Sequence, residues 1–151
     1  MSGFILNELL DKLSKRNNTR FGSSLELHVA TADIKSRTVV YEYEVTEDEI
    51  FRGYLDSGWL STVVDHATDP LICAAAGTHT PSTYTSSLTV HTLEPILPTT
   101  HMEIVCRLVQ AEGRLLQTTV LFRDATRKHI VYASGVHSLL YKDGVGSGAK
   151  L

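Results

Sequence analysis

Asp65 directly follows the apolar pair Val63 and Val64 in the stretch "GYLDSGWLSTVVDHATD", residues Gly53 to Asp69. An acid there is either a solvated helix residue or a base held where chemistry needs it. The residues ahead of it bear on the choice. Gly53 and Gly58 flank a tight entry, and Asp56 or Ser57 stands where a helix N-cap would stand. The first turn of a helix presents backbone N–H groups that have no intrahelical acceptor and carry partial positive charge. Such a terminus can hold an oxyanion formed from a carbonyl. Asp65 lies about two turns further along. A helix N-terminus that polarises a thioester and a carboxylate that activates water are sparse equipment, but enough for an activated acyl group.

The hydrophobic period fixes how this segment must lie. On a helical wheel Leu60, Val63, Val64 and Ala67 share one face, with Trp59 close by. Asp65 falls outside that stripe, on the side of Thr62 and Asp69, which taken alone is the place of a solvated acid. Adjacent helical residues diverge by about 100°, so no Asp65–His66 dyad is expected. A helix is predicted from about Ser57 to Ala76. Asp69–Pro70 is also a good N-cap and N1 pair, so the helix is either kinked there or a new turn begins at Asp69.

Strands must carry the rest. "SSLELHVATADI" and "RTVVYEYEVTEDE" both alternate, with a polar turn at Lys35 and Ser36 between them. After the helix, "STYTSSLTVHTL" is β-rich and ends at the Pro95 and Pro98 loop. The segment from His101 to Lys142 reads as three strands, broken at Glu112–Gly113 and at Ala125–Lys128. Consecutive strands argue for an antiparallel sheet rather than a βαβ array. The N-terminal "MSGFILNELLDKLSKRNN" reads as an amphipathic helix. It has acids within its apolar stretch and no small-residue cleavage site, unlike a signal peptide. The predicted fold class is α+β: about six antiparallel strands wrapped around one long central helix. Residues 1–142 read as one domain and 143–151 as a flexible Gly/Ser tail.

Composition narrows the function classes. The 151-residue chain has a formal charge of −3, which gives no support to nucleic-acid binding, and no apolar run approaches a membrane span. The one short basic run is Arg123, Arg127 and Lys128, first of all a polar hairpin loop. Cys73 and Cys106 lack metal-ligand spacing and read as buried free thiols. The seven histidines form no zinc motif, so no metal site is expected.

From Gly53 to Leu140 the chain resembles the hotdog-fold acyl-CoA thioesterases of the PaaI type. The residues that carry the likeness are "GYLDSGWLSTVVDHAT", then "YTSSLTVHTLEPI", then "GRLLQTTVLFRDATRKHIVYASGVHSLL". The resemblance implies hydrolysis of an acyl-CoA to free acid and CoA, with no cofactor beyond the CoA of the substrate. It implies Asp65 as the catalytic carboxylate, acting as general base on water or as nucleophile. It puts the Ser57 backbone N–H where the family polarises the thioester carbonyl, with Gly58 as the second glycine of that turn. Thr85 or Ser86 falls where the family has a water-positioning hydroxyl, contributed by a neighbouring subunit. A homodimer or homotetramer follows, in which the polar side of the helix faces a partner and the acyl tunnel.

Three positions depart from the family's turn. Asp56 replaces its histidine, Ser57 its first glycine, and Ile50 its usual asparagine. Asp56 and Ile50 count as substrate-side positions, and Arg123, Arg127 and Lys128 as candidates for the CoA phosphates. A second carboxylate repels a developing oxyanion, and Ile50 removes a polar partner. A catalytically impaired hotdog protein that binds acyl-CoA or acyl chains therefore stays open as an alternative. So, lower in rank, does a hotdog hydratase or dehydratase. The chain ends in Ala149, Lys150 and Leu151, a variant of the peroxisomal address, which implies an import receptor and a peroxisomal matrix location, with the cytoplasm as the alternative.

Overall fold

The computed structural model describes residues 27–33, 35–76 and 82–142. The expected N-terminal helix and the tail bearing Ala149, Lys150 and Leu151 lie outside the described residues. The elements run β1 (His28–Asp33), β2 (Thr38–Glu44), β3 (Ile50–Phe51), β4 (Tyr54–Leu55), α1 (Ser57–Ala67), α2 (Asp69–Ala76), β5 (Thr83–Thr92), β6 (His101–Glu112), β7 (Leu115–Asp124) and β8 (Val131–Tyr141). Six strands form one antiparallel sheet in the order β1-β2-β6-β7-β8-β5, and β3 and β4 form a separate hairpin. This is the expected α+β hotdog arrangement, a sheet with a long helical segment packed on it.

The wheel predicts the buried stripe of α1 residue by residue: Leu60, Val63, Val64 and Ala67 are buried. They pack into one core with Tyr41, Ile104, Leu116, Val120, Phe122 and Ala133 from the sheet. The contact is unusually close at one point. A Cβ added to Gly135 of β8 would stand 2.5 Å from Val64 Cγ2, so helix and strand approach nearer than any side chain at position 135 permits. At the far end of α1 the buried Tyr41 hydroxyl donates to the Ala67 carbonyl at 2.9 Å, satisfying one of the carbonyls that a helix end leaves over.

The long helical segment runs from Ser57 to Ala76 as expected, and of the two expected arrangements at Asp69 a new turn begins there. Thr68 is the break. Its carbonyl accepts from the amides of Leu71 and Ile72, while its hydroxyl lies 3.3 Å from the carbonyls of Val64 and of Asp65. Pro70 falls in the first turn of α2, where its missing N–H costs nothing. The β3–β4 hairpin is absent from the sequence reading. Its turn residues Arg52 and Gly53 have φ of 54° and 90°, the pair of positive values that a tight I′ hairpin needs. Two-residue strands show no period, and Arg stands where Asn or Asp would announce the turn.

Replacing Gly135 with alanine is expected to lower unfolding free energy by about 1–3 kcal/mol, since the new methyl must displace Val64 or the helix. In denaturant titrations, adding Val64→Ala should cost less than the two single losses summed, because the smaller residue makes room.

Candidate active site

The entry to α1 is built around two carboxylates. Asp56 is the N-cap: its Oδ1 accepts from the amides of Gly58 at 2.8 Å and Trp59 at 3.3 Å. The Ser57 amide stands outside that cap. A Cβ at Gly58 would lie 2.7 Å from Asp56 Oδ1, so any other residue there must shift the capping carboxylate. Glu49 anchors the same turn from the other side. It accepts from the Tyr43 hydroxyl, from Trp59 Nε1 at 2.9 Å and from the Thr46 amide at 2.9 Å. Tyr43 and Trp59 stack obliquely with centroids 5.0 Å apart. Burial, then the Glu49 carboxylate, push the Tyr43 phenol above its usual range. Ile50 pairs with Leu55 in the hairpin and packs half-buried against the core.

Asp65 lies off the apolar stripe, but it does not simply face water. Its side chain is 42% exposed, and Oδ1 is 3.4 Å from Nε2 of His137, which is fully buried on β8. The same Nε2 lies 2.9 Å from Thr85 Oγ1 on β5, and His137 Nδ1 lies 3.3 Å from Thr68 Oγ1. Burial pushes the His137 imidazole below its usual value, against the pull of the Asp65 and Asp69 carboxylates, so the ring is neutral near pH 7. His66 Nε2 stands 3.9 Å from Asp65 Oδ2, beyond hydrogen-bond length.

Sequence reading missed His137. The signal is there in β8, where Ala133, Gly135, His137, Leu139 and Tyr141 alternate inward, and a histidine in such a row needs polar partners. Within the chain Thr85 reaches the Asp65 neighbourhood through His137, because β5 pairs with β8 and sets Thr85 beside that ring. Ser86 is the extra residue of a bulge between Thr85 and Ser87 and is exposed.

The three basic candidates all meet carboxylates. Arg123 Nη2 is 2.7 Å and Lys128 Nζ 3.0 Å from the nearly buried Glu103. Burial alone would raise the Glu103 carboxyl, but Lys128 and Arg123 outweigh it and hold it below its usual value. Arg127 Nη2 lies 3.0 Å from Asp124 Oδ2, which also accepts from the Tyr132 hydroxyl at 2.7 Å. A phosphate at this loop must compete with those partners. Cys73 and Cys106 are buried and form no disulfide, and burial pushes the Cys73 thiol up to about 11. Among the described residues no group of three or more His, Cys, Asp or Glu could hold a metal ion.

The Arg127 amide, then the Tyr132 hydroxyl and the Arg127 guanidinium, hold the Asp124 carboxyl well below the usual carboxylate range. A depressed folded-state pKa contributes stability above the unfolded value of about 3.9, and that contribution fades as pH falls toward the folded value. Asp124→Asn should therefore lower Tm most at neutral pH, and the gap to wild type should narrow below about pH 4.

No family model and no curated protein sequence matches the chain. Solved structures do. Thioesterase superfamily member 2 from Mus musculus superposes with a TM-score of 0.72 at 16% identity, covering 97% of this chain and 98% of the other. The E. coli PaaI protein gives 0.70 at 12% identity, over 93% and 98%. An acyl-CoA hydrolase from Staphylococcus aureus, solved with butyryl coenzyme A, gives 0.63 at 18% identity, over 73% and 66%. At such identities the likeness is one of backbone: the chain has the hotdog fold found in these thioesterase-superfamily structures.

Proposed function

We propose that the chain hydrolyses acyl-CoA thioesters. The observation that carries this reading is Asp65: a mid-helix carboxylate still 42% exposed, whose Oδ1 lies 3.4 Å from the His137 Nε2 that also meets Thr85 Oγ1 at 2.9 Å. In the proposed reaction Asp65 takes a proton from water as the water oxygen bonds to the thioester carbon. The Ser57 amide, outside the Asp56 cap, donates to the oxyanion that forms. Collapse of the tetrahedral adduct breaks the C–S bond, the thiolate takes the proton back from Asp65, and free acid and CoA leave. The acyl-CoA hydrolase among the structural neighbours supports this substrate class.

Ser57 and Asp65 of one chain lie eight residues apart on α1, about 12 Å along its axis, too far to serve one carbonyl. We therefore propose that each site pairs the Asp65 of one protomer with the helix N-terminus of another. The edge strand β5 supports this. It is ten residues long, mostly exposed, and pairs with β8 alone among the described strands, leaving a free edge for a second copy. The Asp56 cap favours a second reading, a binder of acyl-CoA without turnover, because it sets a negative charge beside the proposed oxyanion site. A hydratase is disfavoured, since a fully buried His137 cannot deliver a proton to a substrate carbon.

Thiol release from a panel of acyl-CoA substrates tests the reading. Asp65→Asn is expected to lower kcat by about 10²–10⁴-fold with its fold intact; a folded variant as fast as wild type removes the mechanism. Asp56→Asn keeps a good cap and deletes the charge, so turnover is expected to rise. Tight binding with no turnover by wild type or by Asp56→Asn would establish the binder instead.

A further inference from the structure

Asp65, His137, Thr85 and Thr68 meet where α1, α2, β5 and β8 converge, yet the proposed hydrolysis uses the first alone as a base. Both ring nitrogens of His137 end on hydroxyls, and Nε2 has the Asp65 carboxylate alongside at 3.4 Å. A neutral imidazole holds one proton, and the nitrogen that holds it sets the direction of every other donor in the cluster. The carboxylate decides. A lone pair on Nε2 facing Asp65 Oδ1 is repelled, whereas an N–H there is attracted. Thr68 fits that choice. Its one hydroxyl proton has the carbonyls of Val64 and Asp65 at 3.3 Å and, when Nδ1 is unprotonated, that nitrogen at the same distance.

We infer that His137 is a positioning residue. It keeps its proton on Nε2 and donates it to Thr85 Oγ1, with Asp65 Oδ1 alongside. Thr85 Oγ1 then accepts from the ring, so its own O–H is turned outward, where a water beside Asp65 would receive it. The carboxylate is steadied at Oδ1, while Oδ2 faces His66 across 3.9 Å. The titratable groups that face the ring are Asp65, Asp69 and His66. The backbone that carries the ring is held too, the Thr118 hydroxyl donating to the His137 carbonyl at 3.4 Å.

The kinetic part of the test rests on the thioesterase reading; the spectroscopic part does not. Histidine ¹⁵N spectra of the full chain should show His137 as the neutral Nε2–H tautomer near pH 7, with an Nε2 signal that moves in Asp65→Asn and in Thr85→Val. The Nδ1–H tautomer, or an Nε2 signal unmoved in both variants, overturns the inference. His137→Leu should lower kcat about 100-fold and leave KM within about twofold. His137→Gln places an amide N–H where Nε2 stands and should recover most of that loss. A leucine variant as fast as wild type, or a glutamine variant as slow as the leucine one, also overturns it. If the leucine variant does not fold, the glutamine variant and the tautomer decide. If wild type releases no thiol from any acyl-CoA, the thioesterase reading fails, and the tautomer with its response to Asp65→Asn still decides the role of His137.

Discussion

The close approach of Val64 to Gly135 is the constraint on which the site depends. A helix rests on a sheet at a distance set by the side chains between them, and here one of those side chains is missing. Val64 fills the space and sinks α1 toward β8. Its neighbour Asp65 cannot enter the core, but it is lowered with the helix until its carboxylate comes level with His137, two residues beyond Gly135 on the same inward row. Packing and polarity are thus set by one local geometry. The apolar contact supplies the depth, and the carboxylate–imidazole contact spends it at the helix shoulder.

Around that contact several polar groups form closed sets. Asp56 and Glu49 settle the helix entry, Thr68 settles the break between the helices, and Glu103 and Asp124 absorb the cations of the β7–β8 loop. Thr68 belongs to two of these sets. Its carbonyl starts α2 while its hydroxyl meets His137, so the interruption of the helix and the order of the site share one residue.

Much of the frame is legible in the residues themselves. The alternation of β6, β7 and β8, and the breaks at Gly113 and after Asp124, announce themselves because long half-buried strands repeat every second residue. The stripe Leu60, Val63, Val64 and Ala67 is as plain. What stays hidden is what tertiary contact creates. Ile50–Leu55 is too short to have a period. His137 is far from Asp65 in the chain, and nothing local marks the pairing. The carboxylates that occupy Arg123, Arg127 and Lys128 come from Glu103 across the sheet and Asp124 at the loop start, so a basic run that looks available in one dimension is neutralised in three.

The single tryptophan acquires a use from where it stands. Trp59 donates its indole N–H to Glu49 and leans against Tyr43 at the mouth of α1. Its emission therefore reports on that mouth and on little else. A ligand that disturbs the helix entry alters the indole's hydrogen bond and the polarity around it. An event confined to Asp65 and His137, nearly two turns along the helix, leaves the fluorophore undisturbed. The protein carries its own optical probe of one half of its proposed site, with no label to be added.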